Sequence, residues 1–279
     1  MIVIRTLAAV SLAALAACAG SPAEPAMKGD GAPGEFILHA RSRKDGAVSQ
    51  ETLRWDAKKT AVIICDMWDT HDCRSAARRV GEMVPRFNEF LRAARAKGAL
   101  VIHCPSDVIA FYKDTPQRKL AQDAPPAKSP PEIRPRAYDA KCEGPWPFDN
   151  SKWGCDDDPP CTWVKPGPWR RQHPGIEIAP EDAISDKGTE IYNLCEARGI
   201  TNVLMTGVHT NYCIVGRSFG IRQMVMLKRS IVLVRDMTDS LYNPKNSPNV
   251  THEQGTELVV EHIEKYWCPS ILSSDVIGR

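Results

Sequence analysis

A thiol placed where a strand ends and a helix begins can serve as a nucleophile, and this chain holds one in the stretch 202–224. Val203 to Thr206 reads as a buried strand, Gly207 as a sharp turn, and a helix is expected to start near Asn211 or Tyr212. Cys213 then falls in the first helical turn. Unpaired N–H groups and the positive end of the helix dipole favour a thiolate there, in the thiol version of a nucleophile elbow. The same local sequence also suits a small buried cysteine at a helix start. The rest of the chain has to separate the two readings.

A thiol nucleophile needs a base, and a cation that holds thiolate and carboxylate together. In an open parallel sheet such groups collect at the carboxyl ends of strands. Asp66 ends the apolar run Thr60 to Cys65, and Lys187 follows the segment Asp182 to Ser185. Cys213 follows Met205 and Thr206.

The elements that must position these groups follow from hydrophobic periodicity. Glu35 to Arg41 predicts a first strand, and Gly46 to Lys58 a loop that returns to the sheet. Thr60 to Cys65 and Ala99 to Cys104 are short apolar runs, as expected for strands buried on both faces. Between them Ala76 to Lys97 has helical spacing, with Val80, Val84, Phe87, Phe90 and Leu91 on one stripe and Gly98 as its cap. Pro85 is expected to kink or split that helix. Residues 105–175 break the rhythm with most of the prolines, four of the seven tryptophans and three cysteines. So long an insertion is either functional or internally stapled, and Cys155 and Cys161 are expected to close a small disulfide loop. Alternation then resumes: a strand over Glu181 to Ser185, a helix over Gly188 to Arg198, the Val203 strand, a strand over Ser230 to Asp236, and a last helix over Thr251 to Tyr266. This pattern predicts an α/β protein, a three-layer α/β/α arrangement around an open, mostly parallel sheet.

Composition bounds the function. The chain has 279 residues, a formal net charge of +2, 43% hydrophobic and 25% charged residues, which suits a globular enzyme and gives no electrostatic case for nucleic acid. Met1 to Arg5 is a short positive segment, and Leu7 to Ala17 is an apolar run too short to span a bilayer. Leu15-Ala-Ala-Cys18 resembles a bacterial lipoprotein signal, with ordinary secretory cleavage as the alternative. Residues 1–18 are therefore expected to be a signal segment, 19–34 a flexible tether, and 35–279 a single domain with the insertion at 105–175. The expectation is an exported, periplasmic protein that meets a membrane only through a lipid on Cys18. Removing Cys18 from ten cysteines leaves nine, an odd number, so one free thiol is expected. The partners of Cys142, Cys155 and Cys161 stay open.

Three motifs together resemble the isochorismatase-like cysteine hydrolase superfamily: Asp66-Met-Trp-Asp69 after a strand, Asp182-Ala-Ile-Ser-Asp-Lys187, and Thr206-Gly-Val-His-Thr-Asn-Tyr-Cys213. The likeness covers about residues 58–104 and 176–240 and omits the insertion. It implies hydrolysis of a small amide-like C–N bond through a thioester, with Cys213 as nucleophile, Asp66 as base and Lys187 as the cation. It also implies a cis peptide between Val208 and His209 that helps aim backbone N–H groups, including that of Cys213, at an oxyanion. A departure bears on Lys187, which enters its helix almost directly where the family has a longer segment. Nicotinamidase-type members hold a metal through an Asp-x-His pair after the second strand, and here that strand ends His103-Cys-Pro-Ser-Asp107 without it.

No cofactor is therefore expected. Zinc held by Asp69 and His71 with His103 or His209, or by Cys142, Cys155, Cys161 and His173, is the alternative. Asp69, His71 and His209 are expected to line the substrate pocket, with Trp68 and Tyr212 either joining them or packing in the core. Arg217, Arg222 and Gln223 read as structural or interfacial, and Trp169 to Gln172 as a lid or a charged loop. The partner is a small molecule, and a homo-oligomer is expected by analogy alone. Two other functions compete with hydrolysis. One is a catalytically silent binding protein on the same fold. The other is a thiol redox protein, disfavoured because Cys213 has no Cys-x-x-Cys partner.

Overall fold

The computed structural model describes residues 34–44, 46–128, 130–149 and 153–278. The signal segment with Cys18, and the tether up to residue 33, lie outside the described residues. Among those described, no helix is long and apolar enough to cross a membrane.

Eight strands of the described residues form one sheet: β1 (Glu35–Lys44), β2 (Ala47–Asp56), β3 (Thr60–Cys65), β4 (Leu100–Cys104), β5 (Ala183–Ile184), β6 (Asn202–Val208), β7 (Ser230–Asp239) and β8 (Ser270–Ile271). Their spatial order is β2-β1-β8-β7-β6-β3-β4-β5. From β8 to β5 every pairing is parallel, and the β1–β2 hairpin adds antiparallel strands at one edge. Among the described residues seven α-helices accompany the sheet: α1 (Arg74–Lys97), α2 (Pro116–Gln122), α3 (Ala140–Glu143), α4 (Gly188–Arg198), α5 (Ile221–Met226), α6 (His252–Tyr266) and α7 (Ser274–Ile277).

The central strands are apolar throughout because both of their faces are covered. Along β3, Ala61, Ile63 and Cys65 enter one core and Val62 and Ile64 the other; β6 repeats this with Val203 and Met205 against Leu204. Helices α4, α5 and α6 supply Ile191, Leu194, Ile221, Met224, Val259 and Ile263 to the first core. The apolar stripe of α1 supplies Val80, Val84, Phe87, Phe90 and Leu91 to the second. Three layers, α/β/α, follow from that alternation.

Several expectations are corrected. Residues 47–56 form the paired strand β2 rather than a loop, in full register with β1 from Glu35↔Asp56 to Lys44↔Ala47. Pro85 does not split its helix: α1 runs unbroken for 24 residues, because the buried stripe on both sides of the proline holds the two halves against one core. The expected Cys155–Cys161 disulfide is not formed, and all nine cysteines of the described residues are free. The Cys161 N–H instead donates to Cys155 Sγ at 3.2 Å.

Burial pushes the thiols of Cys65, Cys104, Cys195 and Cys268 up from their ordinary value of 9.0, that of Cys195 to about 12. A thiol that stays neutral in the folded state but ionises in the unfolded one contributes stability below pH 9, lost as pH rises toward its folded value. Each such thiol should cost about 1.4 kcal/mol between pH 8 and pH 10. Urea unfolding at the two pH values should therefore show a smaller fall for Cys195→Ala than for the wild type. Equal falls would show that Cys195 does not carry the shift.

Candidate active site

The site forms where the chain order of the sheet reverses, with β4 on one side of β3 and β6 on the other. The ends of β3 and β6 lie side by side, with Cys65 opposite Gly207. Gly207 has a φ of +107°, and a Cβ there would sit 2.0 Å from the carbonyl oxygen of Cys65. Only glycine allows these strand ends to approach so closely.

Asp66 follows β3 in the left-handed region, φ 48°, and is fully buried. Its Oδ1 accepts the Ser106 N–H at 2.8 Å, and its Oδ2 accepts Arg217 Nε at 2.9 Å. Cys213 lies in a π-helical turn, Thr210–Ile214, closed by the Ile214 N–H on the His209 carbonyl at 3.2 Å. Such turns recur at functional sites. Asn211 fastens the turn by bonding both backbone groups of Leu241, at 2.9 and 3.0 Å. The peptide between Val208 and His209 is cis. The Cys213 thiol lies beside the Asp66 carboxylate and the His209 backbone, close enough for both to act on its ionisation.

Burial, and then the negative charge of Asp66, push the Cys213 thiol up, with Arg217 pulling the other way. The expectation that a helix start would favour the thiolate is therefore corrected. The turn is only five residues long, and burial beside Asp66 opposes the thiolate. Arg217 is itself driven down by burial and up by Asp66 and Cys213, with a net rise, so it stays charged. The resting group is a neutral thiol beside a carboxylate neutralised by a guanidinium.

Lys187 is not brought to this group. It stands at the N-cap of α4, more than half exposed, with Nζ 3.7 Å from Glu190. The cation that reaches Asp66 is Arg217, which the sequence reading placed among structural residues. The available signal was its spacing: a charge four residues after Cys213 lies on the same side of a helical turn.

Cys213 opens on a cavity of about 830 Å³ lined by Trp68, Trp153, Trp163, Trp169, Tyr212 and His209 among others. Trp68 stacks on Trp169 with centroids 4.3 Å apart, His71 lies 5.4 Å from Trp169, and Trp153 lies 5.6 Å from Tyr212. Trp68 also packs as a core residue, since its Nε1–H donates to the Ser106 carbonyl. Asp69 is not part of the lining. It holds the Trp169–Gln172 run in place, its carboxylate accepting the N–H groups of Arg170 and Arg171 at 3.0 and 3.5 Å. His71 and His209 do line the cavity. Desolvation pulls His71 down to about 4 and His209 well below the usual histidine range, so both imidazoles are neutral at neutral pH. His209 Nε2 is buried without a protein partner.

The two zinc sets read from the sequence are not assembled. Cys142 is exposed and bonds Asp139. Asp69 is held by loop N–H groups, and His103 bonds Gln172 and Asp182. A different set comes together among the described residues: Cys73, Cys155 and Asp157, all buried, with ligand atoms within 4.8 Å of one another. Two thiols and a carboxylate are donors that can hold a divalent cation.

No family model matches the sequence, and no curated protein matches it at a significant level. Solved structures do. A cysteine hydrolase from Pseudomonas syringae pv. phaseolicola 1448A is 18% identical, with a TM-score of 0.53 over 82% of this chain and 97% of that one. An isochorismatase family protein from Burkholderia thailandensis is 16% identical, covering 79% of this chain and 95% of its own, with a TM-score of 0.45. The first of these likenesses shows the fold alone: this chain shares its α/β/α architecture with that structure.

Because the folded state holds His71 at about 4 against an ordinary 6.5, the unfolded chain binds more protons between those values. Stability is complete above pH 6.5 and is lost as pH falls toward 4, on the order of 3 kcal/mol from this residue. His71→Leu should lose less stability than the wild type between pH 7 and pH 4.5 in denaturant titrations. Parallel losses would show that His71 is not held neutral by the fold.

Proposed function

We propose that the protein is a cysteine hydrolase that cleaves the C–N bond of a small, planar amide. One observation carries the reading: the Cys213 thiol and the Arg217 guanidinium both engage the buried Asp66 carboxylate, and the thiol opens on an aromatic-walled cavity. Asp66 takes the thiol proton as Sγ attacks the carbonyl carbon. The tetrahedral adduct then expels the amine, which leaves with that proton, and a thioester remains on Cys213. Water, deprotonated by Asp66, attacks the thioester and releases the carboxylic acid and the thiol. Arg217 keeps the carboxylate in place and offsets the negative charge that Cys213 and Asp66 share. It fills the role that the resemblance gave to Lys187.

The cavity supports a planar substrate. Stacked Trp68, Trp169 and His71 present flat faces, and offset stacking on such faces is favourable. His209 Nε2, neutral and without a protein partner, is free to bond a polar atom of the ring or amide. The setting we propose is the periplasm, with the chain anchored through a lipid on Cys18. In that case palmitate label incorporated in cells should disappear in Cys18→Ser, and label retained in that variant would contradict the anchor.

A screen of small aromatic carboxamides tests the reaction. Cys213→Ala should abolish turnover, and Asp66→Asn should lower kcat by about 10²-fold or more. Arg217→Ala should lower kcat strongly, while Lys187→Ala should leave it near the wild-type value. Turnover that survives Cys213→Ala would end the hydrolase reading. A dead Lys187→Ala beside an active Arg217→Ala would return the cation's role to Lys187.

A further inference from the structure

The insertion carries a second cluster of reactive side chains that the proposed reaction does not use. Cys73, the residue before α1, meets Cys155 and Asp157 from the insertion, and all three are buried. The Cys155 thiol also contacts both Cys73 and Cys161. We propose that Cys73, Cys155 and Asp157 form a binding site for a single zinc ion that clips the insertion to the N-terminus of α1.

The donor set and its spacing carry this inference. Thiolates and a carboxylate sit about 2.0–2.3 Å from zinc, so donor atoms within 4.8 Å of one another can share one ion after a small contraction. Asp157 retains the capacity to join. Its Oδ1 accepts the Ser75 N–H and hydroxyl, and its Oδ2 accepts the Arg74 N–H at 2.8 Å. A carboxylate has about four lone-pair sites, which leaves one open on Oδ2. The Cys73 thiol bonds Asp156 at 3.3 Å, and Asp156 is itself paired with Arg79. Binding therefore releases two thiol protons to solvent and forms two zinc–sulfur bonds and one zinc–oxygen bond. The complex carries one net negative charge, with Arg74 and Arg79 close by to balance it.

The place of the cluster gives it a role. Cys73 makes no side-chain cap for α1, and Asp157 caps that helix from the insertion instead. Trp153, two residues before Cys155, lines the cavity and packs on Tyr212. A zinc ion at the cluster would hold that wall in place without touching Cys213.

The test uses the full chain, purified and dialysed, with metal content measured directly. About one zinc per chain is expected in the wild type and in Cys213→Ala, and none in Cys73→Ser or Cys155→Ser. Cobalt added to the zinc-stripped wild type should show thiolate-to-cobalt charge-transfer absorption. Asp157→Asn, which keeps an oxygen for the helix cap, should weaken zinc binding while retaining the wild-type circular dichroism. A wild type that is zinc-free and takes up none on titration overturns the proposal. So does a disulfide among Cys73, Cys155 and Cys161 in the native chain.

Discussion

The site depends on one ion pair, Asp66 with Arg217. A carboxylate with no solvent exposure is costly unless charge and hydrogen bonds compensate it. Asp66 has both, from the Arg217 guanidinium and the Ser106 N–H. The surrounding features serve to bring the two residues together. Adjacent parallel strands place Asp66 and the 210–214 turn side by side, and Gly207 lets the strand ends close up. The π-helical turn, locked by Asn211 on Leu241, then carries Cys213 and leads to Arg217.

The insertion completes what the sheet begins. The sheet supplies thiol, carboxylate and guanidinium, but four of the tryptophans belong to residues 105–175. Of these, Trp153, Trp163 and Trp169 wall the cavity. The segment is fastened at several points. Asp157 caps α1, Asn243 bonds the Cys155 carbonyl, Gln172 pairs with Trp68, and Asp69 holds the Arg170 and Arg171 N–H groups. Burial of His71 and His209 within this wall keeps both imidazoles neutral, which suits a pocket for an uncharged ring.

Much of the fold was legible because burial on both sheet faces leaves an unmistakable pattern. The runs at β3, β4, β6 and β7 are continuous and apolar, and α4 ends at Gly199 in the left-handed conformation. Strand β2 was not legible. It is an almost wholly exposed edge strand with Ser49, Gln50 and Glu51 at its centre, and so lacks the apolar alternation that marks a half-buried strand. Strand β8 is two residues long, too short for any period. Asp66 and Cys213 could be read from strand ends and spacing, whereas the cation could not. Lys187 and Arg217 each lie near a strand end in sequence, and only the turn's geometry decides which one points at Asp66. The free thiols of the insertion were also out of reach, since spacing alone does not distinguish a disulfide from a thiol cluster.

The central claim is that Asp66 and Arg217 act on Cys213 as one unit. A double-mutant cycle tests it most directly, with Asp66→Asn and Arg217→Gln read out as the rate at which iodoacetamide alkylates Cys213. The account predicts that Arg217→Gln slows alkylation, because the guanidinium favours the thiolate, and that Asp66→Asn speeds it, because the carboxylate opposes the thiolate. The effect of Arg217→Gln should differ once Asp66 is replaced, the signature of coupled residues. Single effects that multiply in full in the double variant would show that the two residues act independently, and would contradict the account.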